Sequence, residues 1–162
     1  MLLLTFWAAW FLIVFSTNVA DFLIYSGILP HNILYGSHNR EFLLKVFSIY
    51  HTSTGLVNAI FLLGCIFEGM IAILFATAAY AFFKGHLSKW QWTQTAFLLS
   101  FFFLIAFILM DEILIAYQLE KGHLLLLILN IVSFIAILAI EFFQLETSKN
   151  ESGFQSKAER KA

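Results

Sequence analysis

Along the chain, apolar residues fall in four long blocks with little polar interruption, at about residues 2–24, 55–83, 95–117 and 124–145. Each reaches roughly 20 residues, the length a helix needs to cross about 30 Å of hydrocarbon. A segment inside a bilayer has no water to satisfy its backbone, so it must be a helix or a strand of a closed barrel. The blocks are continuous and show no period-2 alternation, which points to helices. Between the first two blocks the pattern changes. Phe42, Leu43, Val46, Phe47 and Tyr50 fall at i, i+1, i+4, i+5 and i+8, with Glu41, Lys45 and Ser48 opposite. That periodicity predicts a short amphipathic helix, capped by Asn39 or Ser37, on the membrane surface or over the mouth of a bundle. The other connections, "KGHLSKWQW" and "QLEKGH", are short and predict antiparallel neighbours.

The expected fold is all-α. It is an integral membrane, up-down-up-down bundle of four transmembrane helices over residues 1–145, with the amphipathic helix in the first, outer loop. Residues 146–162 read as a polar cytoplasmic tail, solvated and at most transiently helical. The first block has no basic segment before it and no A-x-A site after it, so it is expected to stay as a helix rather than be cleaved as a signal.

Composition agrees. The chain is 61% hydrophobic and 12% charged, against about half and about a quarter for soluble domains. A net charge of −1 offers no basic field for nucleic acid. The single cysteine, Cys65, excludes a disulfide within the chain. Lysine and arginine set the expected orientation. Lys84, Lys89, Lys149, Lys157, Arg160 and Lys161 lie on one side of a four-span topology, and Arg40, Lys45 and Lys121 on the other. The excess predicts both termini in the cytoplasm, with Trp90 and Trp92 at the inner interface.

The polar residues inside the blocks carry the candidate chemistry. Asn18 and Asp21 share a face near the end of the first helix. Asn58, Cys65 and Glu68 share one on the second, and Gly64, Gly69, Ala72 and Ala76 nearby would allow close helix approach. Ser100, Asp111 and Gln118 share one on the third, with Glu112 rotated about 100° from Asp111. His123, Asn130, Ser133 and Glu141 form a stripe on the fourth. The topology puts Asn18, Asp21, Asn58, Asp111, Glu112, Gln118, His123 and Asn130 in the outer half, with Glu68 deeper and Glu141 near the inner interface. A bundle is expected to gather the outer set into one polar cluster.

Cost supports that gathering. An acid at the centre of a spanning helix costs roughly 2.5–3.5 kcal/mol, so such groups face the interior and find partners. No Lys or Arg lies within a span to pair with Glu68, which is expected to be neutral or to share a proton or cation. Its structural role would be a hydrogen bond across the bundle to Asn18 or Asn130. Its functional role would be proton or cation handling with Asp111 or Glu112. For "MDEIL", one carboxylate facing inward and one reaching the interface is the structural expectation.

A metal would draw on Glu68, Asp111, Glu112, His51 and His123, but the Glu-x-x-His pairs of di-iron bundles are missing. His51 and His123 at helix ends are the candidate haem ligands. His31, His38 and His86 read as solvated loop residues. No cofactor is expected, and neither a phosphate loop nor a catalytic triad is legible.

The segments "STNVADF", "NREFLLKVFSIYHTS", "IFEGMIAILF" and "LMDEILIAYQ" resemble a group of bacterial predicted small integral membrane proteins of unknown function. The matching positions are Asn18, Asp21, Thr52, Glu68 and Glu112. The chain departs from that pattern at His51, where the family has Asp, and at Asp111, where it has Gly. The resemblance implies four spans in a bacterial inner membrane and brings no activity. Two functions follow as expectations. One is a non-enzymatic accessory or scaffold protein, packing against itself or other subunits within the lipid bilayer. The other is a small proton- or cation-linked transport or redox component using Glu68 with Asp111 or Glu112.

Overall fold

The computed structural model describes residues 1–30, 35–114 and 117–159, and of these the side chains of 117–119, 144–145 and 147–159 are outside the description. His31, the Gln118 side chain and the tail cations Lys149, Lys157, Arg160 and Lys161 therefore lie outside the described residues. The chain is all-α, with α1 at Leu2–Tyr25, α2 at Asn39–Ser48, α3 at Thr54–Lys84, α4 at Lys89–Ile113 and α5 at Tyr117–Glu159. Four of these are long and apolar enough to cross a membrane: Leu2–Tyr25, Thr54–Lys84, Lys89–Ile113 and Glu120–Phe143.

Successive long helices pack in chain order, α1 along α3, α3 along α4 and α4 along α5. Each pair runs antiparallel. Trp7 and Phe11 on α1 stack on Phe75 of α3, Phe75 meets Phe97 of α4 edge-on at 4.9 Å, and Phe97 lies 5.0 Å from Phe134 of α5. These rings, with Leu4, Ile71, Ala72, Ala78, Ala96 and Ile137, form the apolar core at the end of the molecule away from α2. Edge-to-face and offset ring pairs add attraction beyond contact area, each about 0.5–1.5 kcal/mol. Gly69 admits Phe15 of α1, since a Cβ there would stand 3.1 Å from the ring. Among the described residues α1 and α5 make at most slight contact with one another.

The boundaries differ from the sequence pattern in three places. α4 begins at Lys89, six residues before the expected start near 95. Gly85, at φ 66°, closes α3, and "KWQW" already follows the next helical stripe, with Thr93 fully buried and Trp90 stacked on Phe134. α4 then stops at Ile113, and Tyr117 and Gln118 belong to α5. Gln118 therefore does not continue the Ser100–Asp111 face. The apparent turn "QLEKGH" is helix, because Gly122 alone costs only about 1 kcal/mol in a helix and no proline follows. Finally, α5 runs to Glu159, with no proline to stop it, where a tail at most transiently helical was expected from 146.

Candidate functional site

At the α2 end, polar residues join three helices. The α1 residue Asn18 is buried and donates from its amide nitrogen to both oxygens of Glu68, at 2.8 Å each. Its carbonyl accepts from the Asn39 amide at 2.9 Å. The amide thus presents nitrogen to the carboxylate and oxygen to a donor, the one orientation that satisfies both sides. This chain links the first residue of α2, through α1, to the middle of α3.

Three residues on, Asp21 does a different job. Its Oδ2 accepts the Arg40 backbone N–H at 3.0 Å and the Ser37 hydroxyl at 3.3 Å. His38, the residue before α2 begins, sits at φ 57° and makes no side-chain cap. Asp21 therefore caps α2 from another helix, where a carboxylate also suits the positive end of the helix dipole. Of the two expected caps, Ser37 contributes by accepting the Asn39 N–H at 3.2 Å. Arg40 is the one buried residue of α2. Its Nε donates to Asn58 on α3 at 2.9 Å, and its guanidinium lies 3.0 Å over the Tyr25 ring. Sequence reading counted Arg40 only as an outer-loop charge. Nothing in helical spacing signals that a loop cation folds back onto Asn58, since that contact is 18 residues distant in the chain.

Hydrogen bonds divide the expected polar set into several groups, although Asn18, Glu68, Asp111 and His123 line one cavity. Asp111, buried at the end of α4, meets His123 of α5 at 2.5 Å. Asn130 bonds not to Glu68 but to Ser100, whose hydroxyl lies 2.6 Å away, and its amide nitrogen has no described partner. Glu112 and His51 are exposed, and Glu141 pairs with Lys89 at 2.8 Å. Among the described residues no group of three His, Cys, Asp or Glu could hold a metal ion. Of the two candidate haem ligands, His51 is exposed, and His123 pairs with Asp111 and stacks on Phe107.

Between these clusters lies a cavity of about 190 Å³. Its wall draws on α1, α3, α4 and α5, and Asn39, Phe42 and Leu43 of α2 roof it. The amphipathic helix is thus packed over the mouth. It ends at Ser48, before Tyr50, because the chain reverses at His51, φ 53°, and Ser53 caps α3 by accepting the Leu56 N–H. The cavity's polar side chains are Asn18, Asn39, Glu68, Asp111 and His123, with Cys65 beside them, and among the described residues no Lys or Arg lines it. An aromatic and aliphatic wall with a few convergent polar groups is the usual make-up of a small-ligand site. No family model, curated protein or solved structure matches the chain.

Proposed function

We propose that this chain is a four-span bundle of the bacterial inner membrane, with both termini cytoplasmic, in which Glu68 and Asp111 bind a cation or exchange it for a proton. The observation that carries this is the cavity: two buried carboxylates on different helices line one space, and among the described residues no Lys or Arg lines it. Buried acids are costly in lipid, and a cation or proton offsets that cost. Each acid already has one neutral or titratable donor, Asn18 for Glu68 and His123 for Asp111, yet a carboxylate has about four acceptor sites. Acceptor capacity is left over for a ligand.

Infrared difference spectroscopy of the reconstituted protein tests this. Exchange from sodium-free to sodium or methylammonium buffer should shift a carboxyl band in the wild type, and Glu68→Gln should lose part of that shift. Glutamine keeps one acceptor oxygen for Asn18, and circular dichroism of the variant checks that it folds. Identical spectra for the two proteins would remove Glu68 from the proposal.

The accessory role has one observation of its own. Among the described residues α5 packs mainly along α4, and in its most apolar window 17% of residues are buried, so most of that surface is free for lipid or for another subunit. A stoichiometric larger partner, co-purified from native membranes, would favour that role.

A further inference from the structure

A second cavity, of about 280 Å³, adjoins the first. It is an apolar groove between α3 and α4, walled by Leu63, Phe67, Leu99, Phe102 and Ala106. Ile60, Gly64, Phe103, Phe107 and Met110 line both spaces. Gly64 stands in this shared wall, and a Cβ built there meets nothing within 4 Å. The α3–α4 seam is therefore thin at one point, with carboxylates on one side and only hydrocarbon on the other.

The pair of cavities has the polarity of an amphiphile. One compartment offers Glu68, Asp111 and amide groups, with Phe61 and Phe103 beside them; the other offers no charged group among its lining residues. A carboxylate-lined, aromatic-walled space selects a cation, by charge and by attraction to ring faces. Its volume suits a small head with a few carbons, since an apolar cavity of about 150 Å³ holds benzene. The geometry points to a lipophilic amine as the occupant: its ammonium meets the Glu68 and Asp111 carboxylates, and its alkyl chain crosses the seam at Gly64 into the α3–α4 groove. This rests on the cation-binding role proposed above and names the chemical class of the cation. An inorganic ion would use the first space and leave the groove without a purpose.

Titration calorimetry of the full chain in detergent, with n-octylammonium, methylammonium, sodium and 1-octanol as probes, tests this. Octylammonium is expected to bind, and octanol, of the same length without the charge, is not. Glu68→Gln combined with Asp111→Asn should weaken octylammonium by about thirtyfold or more, the scale of losing a buried charge partner. Ala106→Leu narrows the groove at a residue that does not line the first cavity; it should weaken octylammonium about tenfold or more and leave methylammonium unchanged. Cys65, the only cysteine in the chain, lines the first cavity and locates the site. Octylammonium should slow its alkylation by N-ethylmaleimide. Should the thiol prove unreactive, the calorimetric comparison of variants decides alone. Binding of sodium or methylammonium that is lost in the double variant, without any binding of octylammonium, would overturn the amine and leave the cation role standing. No binding by any cation would overturn both. Equal binding of octanol and octylammonium would also overturn the amine, since the carboxylates would then play no part.

Discussion

At the end away from α2, Leu4, Trp7, Phe75, Phe97 and Ile137 fill the space between the helices with side chains. At the α2 end the same helices meet through single polar atoms: Asn18 on Glu68, Asp21 on the Arg40 N–H, Asp111 on His123. The first end is close-packed, while the second leaves a cavity of about 190 Å³. The difference is one of range and direction. Dispersion attraction falls off within a fraction of an ångström, so an apolar interface is stable only when filled. A hydrogen bond fixes two atoms at about 2.9 Å and makes no demand on the volume beside them. Polar pairing can therefore hold helices in register around a space, as it does around the cavity that Asn18, Glu68, Asp111 and His123 line.

This contrast can be broken at each end. The largest effect is expected from Phe97→Ala, since Phe97 is fully buried and touches rings on α3 and α5. With the helices in lipid, as proposed, separation costs packing rather than hydrophobic transfer. The expected loss is about 2–3 kcal/mol, somewhat below the usual range of about 3–5 for Phe→Ala. Unfolding in mixed micelles by denaturing detergent measures it. No loss would mean that the rings do not hold the helices together.

Asp21→Ala should cost less, about 1–2 kcal/mol, the range for a lost helix cap. Its effect should be local. Amide exchange should quicken at residues 40–44 and stay unchanged around Ile71 and Phe75, because Asp21 touches α2 and not the apolar core. Uniform acceleration through both ends would show that the polar and apolar halves unfold as one unit.

The smallest change is expected from Lys89→Met. Lys89 and Glu141 pair at 2.8 Å but are 30% and 21% exposed, and a pair so placed contributes about 0–1 kcal/mol. A thermal shift as large as that of Phe97→Ala would mean that this ion pair, and not the aromatic core, sets the stability of the end away from α2.

Much of the architecture was legible from one dimension. Four apolar runs near bilayer length and one amphipathic stripe predicted the elements, since burial in lipid or against a surface imposes a period on the sequence. The helix ends were less legible. "KWQW" and "QLEKGH" carry polar and glycine signals that suggest turns, yet Thr93 and His123 have tertiary partners that keep those residues helical. Local polarity records propensity; it does not record which turn of helix another element will cover.

The sequence by itself determined which residues are costly to bury, among them Asn18, Glu68, Asp111 and Asn130, because that cost depends only on residue type and on depth in an apolar run. It also determined that Asp111 and Glu112, being adjacent on a helix, face different ways. Only the tertiary structure decided who meets whom. It gave Glu68 to Asn18 rather than Asn130, Asp111 to His123 rather than Glu68, and Asp21 to the start of α2. Those choices depend on the rotation and axial offset of whole helices, which the core rings and the fold-back of α2 set together. A residue's spacing gives its angle on its own helix; the angle at which that helix faces its neighbour is a property of the packed chain.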